Sequence, residues 1–166
     1  WRQVSEDDFA QINFQHIRWQ QEHMLIYGNK VPLPRLAAWY GDAGTVYTYS
    51  GITSVPNPWN KGLLYIKNCL EQSSGFGFNS VLLNWYRDGD DHLGWHADDE
   101  GELGKNPVIA SVNFGVTRDF MLRNNADHRQ KIVFSLHHGT ALIMAGAVQH
   151  YWQHSVPKRK KSSGSR

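Results

Sequence analysis

His96 and Asp98 stand two apart in the stretch Trp95-His96-Ala97-Asp98-Asp99-Glu100. On an extended chain, residues two apart point to the same side, so an imidazole and a carboxylate share one face. These are two of the three ligands of a 2-His-1-carboxylate site, which leaves positions on iron(II) open for a co-substrate and dioxygen. The pair alone is a weak signal, because the chain holds nine histidines and short motifs recur by chance. A third ligand has to be another histidine brought close by folding. His16, His23 and His128 stand in polar or loop surroundings, and His137-His138 precede Gly139 at a turn, which suits a structural role. His150 and His154 both flank the last aromatic strand and, four apart, would share a strand face. Position alone leaves both open.

Other residues keep company with the pair. Asn84-Trp85-Tyr86 ends an apolar strand ahead of it, and His154-Ser155-Val156-Pro157 and Arg166 follow far behind. Between and before them come Pro34-Arg35-Leu36, Trp39-Tyr40-Gly41, Tyr47-Thr48-Tyr49-Ser50, Ile109-Ala110-Ser111-Val112, Phe114-Gly115 and Arg118-Asp119-Phe120. In that order, over nearly the whole chain, these fragments resemble the AlkB family of iron(II)- and 2-oxoglutarate-dependent nucleic-acid demethylases. The resemblance implies iron(II), 2-oxoglutarate and dioxygen as reactants, and a metal held by His96, Asp98 and His154, the last matching the family's His-x-x-Pro. It also places Arg166, twelve residues after His154, at the first arginine of an Arg-x-Asn-x-Thr-x-Arg motif. A bidentate arginine in a dry pocket suits the free carboxylate of 2-oxoglutarate, and Asn84 and Tyr86 would add neutral hydrogen bonds to it. The sequence stops at Arg166, so the asparagine and second arginine are not in it. The expectation is a chain truncated at this end, which in the natural protein continues into a further strand.

The implied activity is oxidative. Decarboxylation of 2-oxoglutarate to succinate accompanies oxidation of an N-methyl group, which leaves as formaldehyde. The main reading is direct reversal of alkylation damage, at 1-methyladenine and 3-methylcytosine in DNA. RNA as the natural substrate and protein hydroxylation are alternatives within this chemistry, and a β-sandwich binding module is the alternative outside it. A base is worked on outside the stack, held between flat side chains. By resemblance Tyr47 and Tyr49 face the first ligand histidine, Glu100 contacts the base edge, and Tyr27 sits where relatives probe the duplex. Arg35, Arg118 and Arg123 are candidate phosphate contacts, with structural salt bridges as the alternative.

The elements that must position these residues are legible in outline. Residues 158–166 carry five Lys/Arg and no acid, so twelve basic and fifteen acidic residues leave −3 on the remainder. A mildly acidic body excludes indiscriminate phosphate binding and requires a focused groove. Lys158-Arg159-Lys160-Lys161 reads as a solvated loop or a phosphate contact. No apolar run reaches eighteen residues, so no membrane span is expected. The single cysteine, Cys69, excludes an internal disulfide and fits a reducing compartment, an intracellular setting in bacterial cytoplasm or a eukaryotic nucleus. Trp1-Arg2-Gln3 shows neither a start methionine nor a signal pattern and reads as a trimmed beginning. One domain and a monomer are expected.

Ser5-Glu6-Asp7-Asp8 reads as a capped helix start, Gly28-Asn29-Lys30 as a turn, and Trp39-Tyr40-Gly41-Asp42-Ala43-Gly44 as punctuating two aromatic strands, the second being Val46–Tyr49. A helix spans Leu63 to Leu70 and ends at Ser73-Ser74-Gly75. Strands follow at Ser80–Tyr86, Val108–Val116, Arg118–Arg123, Ile132–Leu136 and Thr140–Ala145, with a last one near Tyr151. Many short strands at close spacing suggest a sandwich or jelly roll. The fold class is therefore mainly β with flanking helices (α+β), and a double-stranded β-helix is what the resemblance implies. Residues 1–77 would form an N-terminal nucleotide-recognition lobe and residues 78–166 the jelly-roll core.

Overall fold

The computed structural model describes residues 16–45, 47–49, 52–159 and 164–166, with backbone alone for 26, 47–49 and 52–54. The helix expected from Ser5 lies outside the described residues. The chain divides into two compact units, Trp1–Trp85 and Tyr86–Arg166.

In the first unit, β1 (His23–Ile26) and β2 (Asn29–Pro32) form an antiparallel hairpin, with Ile26 opposite Asn29. Its two turn residues are Tyr27 and Gly28, at φ 48° and 79°. Two successive positive φ angles give the mirror-image turn whose twist matches that of the strands. The turn thus falls one residue earlier than Gly28-Asn29-Lys30, because Asn29 and Lys30 are already paired in β2. β3 (Leu36–Gly41), β4 (Tyr47–Tyr49), β5 (Ile52–Ser54) and β6 (Asn57–Pro58) follow.

Helix α1 (Lys61–Ser74) has its ends written in the sequence. Asn60 Oδ1 accepts from the Leu63 N–H at 2.8 Å, and Gly75, at φ 74°, donates to the Glu71 carbonyl. These satisfy backbone groups that a helix end would otherwise leave without partners. β7 (Ser80–Trp85) runs antiparallel to β3 in continuous register from Leu36↔Trp85 to Gly41↔Ser80. Ile17, Ala38, Tyr40 and Leu63 form the buried core here.

The second unit holds β8 (Leu93–His96), β9 (Ile109–Asn113), β10 (Arg118–Asn124), β11 (Lys131–Leu136), β12 (Thr140–Met144), the short helix α2 (Val148–Tyr151) and β13 (Trp152–Val156). A four-stranded sheet runs β11-β10-β13-β8, and β9 pairs with β12. Alternation sets the core: Phe120 and Leu122 of β10 face inward with Leu136, Met144, Val156 and Tyr86. The mainly-β build with few helices is consistent with a jelly roll. The last strand begins at Trp152, because Val148 to Tyr151 is helical.

Candidate metal and co-substrate site

β8 ends at His96, and β13 places His154 directly opposite it in the register. Cross-strand partners hold their Cβ atoms about 5 Å apart, and here the two ring centroids lie 4.0 Å apart. Asp98, two residues beyond His96, turns its carboxylate to both rings. Its Oδ1 is 3.6 Å from His96 Nε2 and its Oδ2 is 3.5 Å from His154 Nε2. One donor atom from each of the three residues lies within 4.8 Å of the others, so the set could hold a metal ion.

The surroundings suit that use. His96 Nδ1 lies 2.9 Å from the Gly94 carbonyl oxygen. An N–H there leaves the lone pair on Nε2, the atom that faces Asp98. His154 is buried, and Phe120 stacks on its ring at 5.3 Å and 18°. Burial, with His96 adding to it, lowers the His154 pKa to about 3, so its imidazole is neutral at physiological pH, as a ligand must be. Asp98 is shifted upward, chiefly by burial; His96 opposes the shift, and Glu100 and Asp99 add to it. A divalent cation among the donors would hold that carboxylate ionised. Two imidazoles and one carboxylate are the donor set of non-haem iron(II) oxygenases.

His150 does not join them. It is exposed on α2, with Nε2 3.0 Å from Asn106 Oδ1, and strand alternation does not apply because its segment is helical. His137 and His138 do serve a turn: their Nδ1 atoms meet the Thr117 hydroxyl and the Gly115 N–H, at 2.9 and 3.1 Å.

Arg166 lies along Tyr86, each backbone N–H donating to the other's carbonyl, at 2.7 and 2.9 Å. Gly115, at φ 86°, makes room, since a Cβ there would meet the Ser165 carbonyl and Arg166 Cα. Arg166 Nη2 donates to Asn113 Oδ1, while Nη1 is buried with no hydrogen-bond partner among the described residues. Burial lowers the arginine's pKa to about 10, which keeps it cationic. A buried guanidinium with an unused N–H fits a carboxylate ligand.

Asn113 was not anticipated from the sequence. It is buried, and its Nδ2 donates to the Ser111 and Thr140 carbonyls, both at 3.2 Å, which aims Oδ1 at Arg166. Gln149, also unanticipated, is buried with Oε1 accepting from the Asp98 N–H.

Two expected phosphate contacts are corrected. Arg118 is fully enclosed and donates to the carbonyls of Asp88, Asp91 and Pro157 at 2.8–2.9 Å. Arg35 is 7% exposed and its Nε donates to Asn84 Oδ1 at 2.7 Å. Both side chains are buried, and these donors are spent on partners inside the fold. Asn84 thus has its oxygen engaged within the first unit. Tyr86 is buried, with the Arg118 guanidinium 5.6 Å from its ring centroid. Tyr27 is fully exposed at the hairpin tip, and Glu100 is partly buried just before the 3-10 turn Gly101–Leu103. Tyr47 and Tyr49 lie on β4, and their side chains lie outside the described residues.

The chain belongs to the 2OG-Fe(II) oxygenase superfamily, whose sequence model matches residues 2–166. That family uses iron(II), 2-oxoglutarate and dioxygen. Among curated proteins, the chain is 49% identical over 138 residues to the alpha-ketoglutarate-dependent dioxygenase alkB homolog 3 of Bos taurus, covering 78% of this chain and 48% of the relative. The human protein of that name is 44% identical over 89% of this chain and 54% of its own length. The human DNA oxidative demethylase ALKBH2 is 43% identical, over 82% and 55%. The AlkB resemblance is thereby borne out. The chain spans about half the length of these relatives.

Proposed function

We propose that this chain carries the catalytic centre of an iron(II)- and 2-oxoglutarate-dependent dioxygenase that demethylates 1-methyladenine and 3-methylcytosine in DNA, and so repairs alkylation damage. The observation that carries the reading is the convergence of His96, Asp98 and His154, with a carboxylate-seeking Arg166 in the same unit. The name of one relative, the DNA oxidative demethylase ALKBH2, supports DNA as the substrate class.

In this reading His96, Asp98 and His154 hold the iron. The metal, with its co-substrate and dioxygen, supplies the oxidising chemistry. The protein's share is positioning and exclusion of water. Phe120 fixes the His154 ring, Gly94 fixes the His96 tautomer, and Asn113 turns Arg166 so that Nη1 can grip the outer carboxylate of 2-oxoglutarate. Tyr86 and Asn84 are assigned to the same co-substrate. Residues 1–77 serve as the nucleotide-recognition lobe, with Tyr27 probing the duplex and Tyr47, Tyr49 and Glu100 receiving the base. The lone Cys69 supports an intracellular protein.

The test is formaldehyde release from matched oligonucleotides bearing one lesion, as single-stranded DNA, duplex DNA and RNA. Activity should be highest on DNA, abolished by His154→Ala and retained by His150→Ala. Faster release from RNA would reassign the substrate. Succinate formation coupled to peptides but to no nucleic acid would make the protein a side-chain hydroxylase.

A further inference from the structure

The pairing that brings the two ligand histidines together is short and irregular. β8 and β13 are registered at His154↔His96 and Val156↔Leu93, with a slip between. Two steps along β13 answer three along β8, so β8 carries an extra residue, and such a bulge interrupts the ladder and bends the strand. The distance between His96 and His154 therefore needs a second restraint.

One side chain on the other face of the sheet meets that need. Gln153 precedes His154, so by alternation it points away from the metal donors, and Trp95, which precedes His96, meets the same Arg123 as Gln153. Arg123 of β10 is registered opposite Gln153. Its guanidinium carbon lies 4.5 Å from the Trp95 ring centroid. Its Nε and Nη2 both donate to Gln153 Oε1, at 2.9 and 2.6 Å. Arg123 thus grips the residue beside each ligand histidine.

We infer that Arg123 is a positioning residue, which clamps the two ligand-bearing strands from behind and sets the separation of His96 and His154. This rests on reading His96, Asp98 and His154 as the metal ligands. It replaces the phosphate contact considered for Arg123. The fork to Gln153 is the distinctive part. Lys131 Nζ also lies 6.0 Å from the Trp95 centroid, so a cation stays near the indole when Arg123 is removed, whereas the link to β13 does not.

The experiment has a metal arm and a metal-free arm, on wild type, Arg123→Ala, Arg123→Lys, Gln153→Glu and, as a control, His154→Ala. Cobalt(II) is titrated and followed by its d–d absorption. Arg123→Ala should bind cobalt about tenfold more weakly, the size usual for a lost partner behind a ligand, with an altered spectrum. Arg123→Lys, without the fork, should move the same way by less. Gln153→Glu, which still accepts from the guanidinium, should keep wild-type affinity and spectrum. In the metal-free arm, amide hydrogen exchange in β8 should quicken in Arg123→Ala and Arg123→Lys while β9 and β12 stay protected. A purely structural arginine would lower the melting temperature and leave the cobalt spectrum of the folded protein unchanged, which overturns the clamp. So would unchanged cobalt binding with a salt slope of DNA binding reduced by about one, the mark of a phosphate contact. If wild type binds no cobalt, or His154→Ala binds it as well as wild type, the ligand assignment is what fails. The exchange data then decide the clamp: unchanged β8 exchange overturns it. If Arg123→Ala does not fold, Arg123→Lys carries both arms.

Discussion

Gln149 Oε1 accepts a hydrogen bond from the Asp98 backbone N–H at 3.0 Å, across 51 residues of sequence. Gln149 is 2% exposed, so its side-chain oxygen is shielded from water. The bond ties the segment after β8, where the proposed carboxylate ligand sits, to the helix before β13, where the second histidine sits.

Gln149→Leu keeps the volume and removes the acceptor. Leaving the Asp98 N–H without a partner costs about 1 to 3 kcal/mol, read as a lower urea midpoint with an unchanged slope. Metal affinity should fall with it, because Asp98 is no longer held. Gln149→Glu keeps an acceptor and should lose less affinity. Equal metal binding in Gln149→Leu and wild type would show that Asp98 is placed without Gln149.

Arg166 offers a buried, unused N–H beside a bonded one. Arg166→Lys keeps a cation and loses the planar fork, while Arg166→Ala loses both. A charge-assisted hydrogen bond is worth about 1.5 to 3 kcal/mol, so 2-oxoglutarate affinity in the manganese-loaded protein should fall roughly ten- to hundredfold in Arg166→Ala. Manganese affinity without 2-oxoglutarate should not change. Calorimetric titration of both ligands makes the distinction. Undiminished 2-oxoglutarate binding in Arg166→Ala would assign the carboxylate to another group.

The loop ahead of β8 has its own restraint, and it depends on pH. Arg87 donates to Asp91 through Nε at 2.7 Å and Nη2 at 2.9 Å, and its backbone N–H adds a third bond at 2.9 Å. The side-chain hydrogen bond from Arg87 is the main reason that Asp91 titrates below its ordinary value, against the opposing effect of burial. A carboxyl whose pKa is lower folded than unfolded stabilises the fold above its unfolded value and loses that contribution as pH falls through its folded value. Arg87 is 44% exposed, so solvent screening holds the pair to about 1 kcal/mol or less. The stability difference between wild type and Arg87→Gln should be level above about pH 5 and shrink as acid protonates Asp91 below about pH 4. Denaturant midpoints across that range check it. A difference that stays constant into acid would trace to packing of the Arg87 stem.

What could be read in advance follows from how local each signal is. Helix α1 is legible because the apolar spacing from Leu63 to Leu70 and the stop at Ser73-Ser74-Gly75 lie within one short segment, whereas the Asn60 cap is a finding of the structure. The His96–Asp98 pair was legible for the same reason, and the choice of His154 over His150 needed the family's His-x-x-Pro. Sequence alone could not settle it, since the helix Val148–Tyr151 replaces the strand whose alternation made His150 a rival. The burial of Arg118 has a local sign: it is in phase with Phe120 and Leu122, both inward-facing. Gln149 and Asn113 gave no such sign. Their partners are Asp98, 51 residues away, and Arg166, 53 residues away, and only the folded chain brings them together.

Methylation at position 1 of adenine or position 3 of cytosine leaves the base cationic near neutral pH. Glu100 is partly buried two residues beyond Asp98 and acts on it electrostatically, helping to push its pKa upward. Asp98 would be largely neutralised by the iron it holds, so the carboxylate left to discriminate charge is Glu100. A charge-assisted hydrogen bond to the base edge, with a cation over an aromatic face worth about 0.5 to 2 kcal/mol, would give roughly ten- to hundredfold preference for cationic lesions. The hypothesis is strong activity on 1-methyladenine and 3-methylcytosine, weaker activity on neutral 3-methylthymine, and a narrower gap in Glu100→Gln. That variant keeps the size of the side chain and removes the charge; because Glu100 also acts on Asp98, each rate is taken at saturating metal and 2-oxoglutarate. Initial rates on single-lesion oligonucleotides, wild type against Glu100→Gln, give the ratio directly. If the mutant leaves the ratio unchanged, or neutral and cationic lesions are repaired alike, Glu100 does not select the substrate by charge.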